Sequence, residues 1–268
     1  MKGFVKWVAR SAGYEIRKVE PAACSNPVGV PPQDEVVPGP WQGHVLEMAN
    51  RNHRPKVLQY HRSKFGDDQR LKYILNFLDL RDLRTLEPGP HEGDLSIILE
   101  KLGVRENIAF ESRLENLQKC QRIKKIYGLN RTTFLLGNLE DFYNGTKQPQ
   151  FAERFDLVLC LGVLYHVPDP GKALAWFRSQ AKTLFLGTHF PLPDFPSDAV
   201  YTYNGKSYRV KEWREGGIQD PISGMSPISL LPYEADLLNL LRDVGYDQIS
   251  VLGRDFHNRT PHITILAE

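Results

Sequence analysis

Thr85-Leu86-Glu87-Pro88-Gly89-Pro90-His91-Glu92-Gly93, followed by Asp94-Leu95-Ser96-Ile97-Ile98-Leu99, decides how this chain is read. A short apolar run ends in a carboxylate, two glycines follow at a spacing of four, and an amphipathic helix begins with Asp94 as its expected N-cap. The stretch predicts a strand, a tight turn and a helix. In an open α/β sheet such a turn lies at the carboxyl ends of the strands, where glycine lets the backbone approach a ligand closely. A dinucleotide fingerprint asks for glycine at the positions of Gly89, His91 and Asp94, and only the first is met. The pattern therefore disfavours NAD and leaves another nucleotide-like ligand, or a plain turn.

Working outward, β and α patterns alternate. A helix is expected over 67–80, with Leu71, Ile74, Leu75 and Leu78 on one side, leading into the strand that carries Glu87. Downstream, Asn107-Ile108-Ala109-Phe110-Glu111 reads as a strand ending in a second carboxylate, and 114–127 as a helix with Gly128 as C-cap. Thr132-Thr133-Phe134-Leu135-Leu136 is a third strand, closed by Gly137-Asn138. Phe155-Asp156-Leu157-Val158-Leu159-Cys160-Leu161 is almost wholly apolar, as a central parallel strand buried on both faces must be. A helix over 173–181 and a strand over 183–187 complete the alternation, which predicts a parallel sheet with its ligand at the carboxyl ends.

Four signals thus end successive strands: Glu87-x-Gly89-x-x-x-Gly93, Glu111, Gly137-Asn138, and Asp156-Leu157-Val158 running into Gly162-Val163-Leu164-Tyr165-His166-Val167-Pro168. Together they resemble the class I S-adenosylmethionine-dependent methyltransferases over about residues 66–268. The Gly-Val-Leu-Tyr-His segment is similar to that of small-molecule and wobble-uridine-modifying members. The resemblance implies a doubly wound, Rossmann-like, mostly parallel seven-stranded sheet ending in an antiparallel hairpin, formed by the strands expected over 248–252 and 262–266. It also implies S-adenosyl-L-methionine as cofactor, held by Glu87, Gly89, His91, Gly93, Glu111, Ser112, Asn138, Leu139, Leu161 and Gly162. In that reading Glu111 accepts from both ribose hydroxyls, Asn138 and the Leu139 N–H meet the adenine, and Glu87 orders the loop and meets the methionine amino group. His91, where many members carry glycine, and Asn138, where aspartate is usual, depart from the pattern.

Methyl transfer needs a protein base only when the acceptor must lose a proton. Tyr165, His166 and His189, just past the fourth and fifth strands, are the candidate catalytic residues, each able instead to shape an acceptor pocket. Residues 190–231 interrupt the run to the next helix, which is expected to open at Pro232, and are expected to form an acceptor lid. Asn204-Gly205 suits a type I′ hairpin turn, and Tyr201, Tyr203, Tyr208, Arg209, Trp213 and Arg214 either stack on the acceptor or pack the hairpin down. The expected acceptor offers oxygen or nitrogen on a small molecule or a glycan. A tRNA acceptor, and a non-catalytic interaction subunit, remain alternatives.

Residues 1–65 read as a separate extension: an amphipathic helix over 2–18, a proline-rich connector over 20–40 and an aromatic, basic cap. The helix either docks on the rest of the chain or touches an anionic membrane surface, and its shortness favours docking. With 268 residues, 41% of them hydrophobic, the chain can bury one sizeable core, and a net charge of +2 is too mild to argue for nucleic acid. Cys24, Cys120 and Cys160 lack metal-ligand spacing, so no metal is expected. With no export signal or spanning run evident, a cytoplasmic location is expected.

Overall fold

The computed structural model describes residues 69–268, apart from 148, 150, 152, 194–198, 218 and 258–259. The expected helix over 2–18, the connector and the cap all lie outside the described residues. In chain order the elements are α1 (Gln69–Phe77), β1 (Arg84–Pro88), α2 (Asp94–Lys101), β2 (Glu106–Glu111), α3 (Leu114–Tyr127), β3 (Thr132–Leu136) and α4 (Leu139–Tyr143). There follow β4 (Phe155–Leu161), a 3₁₀ turn (Leu164–His166), α5 (Pro170–Gln180), β5 (Ala181–His189), β6 (Ala199–Tyr203), β7 (Lys206–Arg214), β8 (Ile228–Pro232), α6 (Glu234–Asp243), β9 (Ile249–His257) and β10 (Thr260–Ala267).

Seven strands form one sheet in the order β3-β2-β1-β4-β5-β10-β9. The first five run parallel, and β10 is antiparallel to both β5 and β9. The sheet is doubly wound and mostly parallel, and β1 and β4 are its switch point: from β1 the chain builds toward β2 and β3, from β4 toward β5. A ligand crevice opens at the carboxyl ends of such a pair. β4 shows why the two faces need helices. Val158 and Cys160 sit in one apolar cluster with Leu174, Phe177 and Leu237, and Leu157 and Leu159 in another with Ile74, Leu99 and Phe185. A third cluster, Ile97, Cys120, Ile123 and Phe134, lies where α2 and α3 pack beside β2 and β3.

Local chemistry sets the ends. α3 stops at Gly128, φ 63°, and α5 starts with Asp169 as N-cap and proline at its first turn. Asp94, expected as an N-cap, is the first helical residue of α2. The cap position is taken by Gly93 at φ 88°, a left-handed turn that an L side chain would strain, and the Asp94 charge lies in the first turn where the helix dipole favours it.

A second sheet, β6-β7-β8, is antiparallel. Asn204 (φ 48°) and Gly205 (φ 76°) form the β6–β7 turn. Pro232 does not open a helix. It is the last residue of β8, and α6 begins at Glu234, because proline is tolerated where a strand ends at a sheet edge. Tyr201 and Tyr208 pack inward: the Tyr201 hydroxyl accepts from Gly171 N (3.1 Å) and donates to Asp169, while Tyr208 donates to Asp243 (2.5 Å). Among the described residues no helix is long and apolar enough to cross a membrane.

Candidate active site

A cleft of about 990 Å³ opens where the loops after β1, β2, β3, β4 and β5 meet, and every predicted site residue lies on its wall except Gly93, at the foot of the β1 loop. The β1 loop is folded by three positive-φ residues, Gly89 (62°), His91 (56°) and Gly93 (88°). His91 tolerates that conformation because its backbone is pinned from two sides. Its N–H donates to Glu111 Oε2 (3.1 Å), and its carbonyl accepts from the Cys120 thiol (3.2 Å). Gly89 N donates to Phe110 O (2.9 Å), so the loop is tied to β2 by main chain as well.

Two carboxylates face this loop with different environments. Glu87 is buried, and burial pushes its carboxyl up to about 7 against donors from Ser96 (2.5 Å) and Asn107 (2.8 Å), both on Oε2. Its Oε1 is buried with no hydrogen-bond partner among the described residues. Glu111 is also raised by burial, but the N–H groups of Arg113 (3.0 Å) and His91 hold its two oxygens and pull it back. Ser112 adds a longer contact of 3.4 Å to the same carboxylate. Asn138 caps α4, its Oδ1 accepting from Glu140 N (3.1 Å), so that oxygen is partly committed before any ligand arrives. Leu139 begins α4 beside it.

On the other side of the switch point, Gly162 turns at φ 85° after Leu161 and delivers the 3₁₀ turn. Tyr165, His166 and His189 come together there. The Tyr165 ring centroid lies 4.2 Å from that of His166 and 4.5 Å from that of His189. Burial raises Tyr165 against the opposing charge of Arg70, and burial lowers His189. The phenol therefore stays protonated and the His189 imidazole neutral at pH 7, its Nδ1 within 3.0 Å of Pro261 O.

The segment between β7 and β8 crosses to the far wall. Arg113 donates to the carbonyls of Gly217 (3.3 Å) and Gly224 (3.2 Å), Asn116 to that of Pro221 (3.0 Å), and Ser226 donates to Glu140 (2.5 Å). Pro221 to Met225 line the cleft, as does Trp213, the one of the six aromatic and basic hairpin residues that does so. Among the described residues no cluster of three or more His, Cys, Asp or Glu side chains could hold a metal.

The sequence profile of the methyltransferase domain family matches residues 53–251. The chain belongs to the methyltransferase family. Solved structures agree on the fold. The N-terminal domain of EvdMO1, crystallised with SAH bound, superposes with a TM-score of 0.59 at 24% identity, over 78% of this chain and 79% of that one. Magnesium protoporphyrin IX methyltransferase (ChlM) from Synechocystis PCC 6803, with bound SAH, gives 0.51 at 18% identity, over 81% and 87%. Among curated proteins, tRNA U34 carboxymethyltransferases from Campylobacter hominis and Campylobacter fetus subsp. fetus are each 28% identical, over 131 and 117 residues. Those matches cover 48% and 42% of this chain and 44% and 39% of the relatives, so this chain spans less than half the length of either. In this methyltransferase the sequence reading missed Arg70, which reaches the cleft from α1, and Glu215, whose side chain meets His166. Arg70 sits in an ordinary amphipathic helix and Glu215 in a Gly-rich turn, and neither carries a local motif.

Proposed function

We propose that this methyltransferase moves a methyl group from S-adenosyl-L-methionine to oxygen or nitrogen of a small, polar acceptor. One observation carries the reading: the Tyr165, His166 and His189 cluster stands across the β1–β4 switch point from the Glu87, Glu111 and Asn138 wall, in one cleft. The residues present suit the cofactor. The orphaned, buried Glu87 Oε1 is an acceptor awaiting a donor, as an ammonium group would supply. The Glu111 carboxylate, fixed by two backbone donors, can still accept from a diol, and Asn138 and Leu139 lie at the adenine end. Leu161 and Gly162 close the sulfonium side. When bound, the cofactor supplies a methyl group already activated on sulfur, so the chain's work is alignment, exclusion of water and proton handling.

The proton-handling groups are distinct. Tyr165, kept protonated, offers a hydrogen bond to an acceptor heteroatom; His189, kept neutral, offers one nitrogen lone pair. Among the described residues the cleft wall carries six acidic side chains, Glu87, Glu92, Asp94, Glu111, Glu140 and Asp255, against two arginines, Arg70 and Arg113. That balance supports a neutral or cationic small molecule, including a carbohydrate, over a polyanion. The tRNA reading is favoured by the two curated relatives, and salt dependence separates the two. Binding to an RNA that weakens steeply with salt, with methyl incorporation into that RNA, supports tRNA. Methyl incorporation from labelled S-adenosylmethionine into small hydroxyl or amino acceptors, with none into RNA, supports the small-molecule acceptor.

A further inference from the structure

Glu215 follows the last residue of β7 and its side chain is 1% exposed. Four donors converge on its carboxylate. His166 Nδ1 lies 3.1 Å from Oε1 and 3.0 Å from Oε2, Ser229 donates to Oε1 (2.6 Å), and Ser223 Oγ and Gly224 N donate to Oε2 (2.6 Å each). Burial opposes ionisation at this site, but these four donors outweigh it and hold the carboxyl at about 2. An ionised carboxylate can only accept, so Nδ1 of His166 must carry hydrogen, and in the neutral imidazole this leaves the lone pair on Nε2. The pair is enclosed by the cleft-crossing segment. A Cβ at Gly224 would lie 2.4 Å from the His166 carbonyl oxygen, so only glycine permits this approach.

Resting on the methyltransferase reading of this cleft, we propose that Glu215 is the positioning residue that makes His166 the general base, and that the acceptor group is a hydroxyl. His166 has a buried carboxylate in direct hydrogen-bond contact with its ring. His189 is oriented by a neutral carbonyl, and Tyr165 holds its proton. A neutral amine attacks with a lone pair it already has, whereas a hydroxyl must lose its proton as its new bond forms. The arrangement follows the logic of carboxylate-oriented histidine bases. The acceptor O–H proton passes to Nε2 while an oxygen lone pair bonds the methyl carbon and the carbon–sulfur bond breaks, its electron pair staying on sulfur. A methyl ether and S-adenosylhomocysteine result. Glu215 faces the imidazolium until its proton leaves to solvent.

The test reads the histidine itself. In the full-length chain labelled with ¹⁵N-histidine, and with His166→Asn used to assign the signal, long-range ¹H–¹⁵N spectra of the neutral imidazole should show His166 fixed as the Nδ1–H tautomer. Glu215→Gln should lose that fixed state and gain Nε2–H signal. The unmutated chain answers the main question even if the variant folds poorly. Calorimetry with S-adenosylhomocysteine runs alongside. Binding together with an Nε2–H tautomer in the unmutated chain overturns the Glu215 assignment and leaves the methyltransferase reading standing. Absence of binding removes that reading and the inference with it.

Discussion

Replacing Gly89 by alanine should drive a methyl group into Val163 across the crevice. Gly89 sits at φ 62°, and a Cβ there would lie 2.6 Å from Val163 Cγ2, on the opposite wall. Two costs follow. Holding an L residue in the left-handed region costs about 1–2 kcal/mol, and forcing a methyl into a filled space costs about 1–3 kcal/mol. Gly89→Ala should therefore lose about 2–5 kcal/mol of stability. Val163→Ala alone should lose about 1–2 kcal/mol, from the two carbons removed. In the double variant the overlap disappears and the backbone cost remains, so its loss should fall short of the sum of the two single losses by about 1–3 kcal/mol. Urea denaturation of the four proteins, analysed as a double-mutant cycle, measures this coupling directly. Strict additivity, or a Gly89→Ala protein as stable as the parent, would refute the argument that these loops touch across the switch point.

Glu92 and Lys119 form an ion pair at 3.2 Å with both side chains 2% exposed. Lys119→Met should cost about 3–5 kcal/mol in urea unfolding by leaving a buried charge, and adding Glu92→Gln should return part of it. Glu87 is held near 7 in the folded chain against an ordinary 4.5. Its contribution to stability is therefore full below about pH 4.5 and is lost as pH rises through about 7, and Glu87→Gln should flatten that decline in unfolding measured from pH 4 to 8. Ionised Glu87 is the form that suits an ammonium ligand, so S-adenosylhomocysteine affinity should rise by up to about tenfold per pH unit toward 7 and level off above it. Glu111→Ala should keep the circular dichroism of the fold yet weaken S-adenosylhomocysteine by about 10²-fold or more, the equivalent of two charge-assisted hydrogen bonds. Unchanged affinity would remove Glu111 from the ribose position.

Much of the sheet was legible because its signals are local. An apolar run such as Phe155–Leu161 has one physical use, and the carboxylates and glycines that close β1, β2 and β3 mark where strands stop. Gly128 and Asn204-Gly205 declared their turns through φ preferences. What escaped depends on long-range packing. β8 ends in a proline that reads as a helix start, yet its strand character comes from pairing with β7. Glu215 lies 49 residues from His166 in sequence, and only the β7–β8 sheet brings it against the 3₁₀ turn. The tyrosines of the hairpin looked equally suited to stacking or packing, and burial against α5 and α6 gave Tyr201 and Tyr208 to packing.

The most direct test of the central claim is calorimetric titration of the full-length chain with S-adenosylhomocysteine, with NAD as the control. The cleft at the β1–β4 switch point predicts saturable binding of the adenosyl ligand and none of the dinucleotide. No binding of S-adenosylhomocysteine, or binding of NAD in its place, would contradict it.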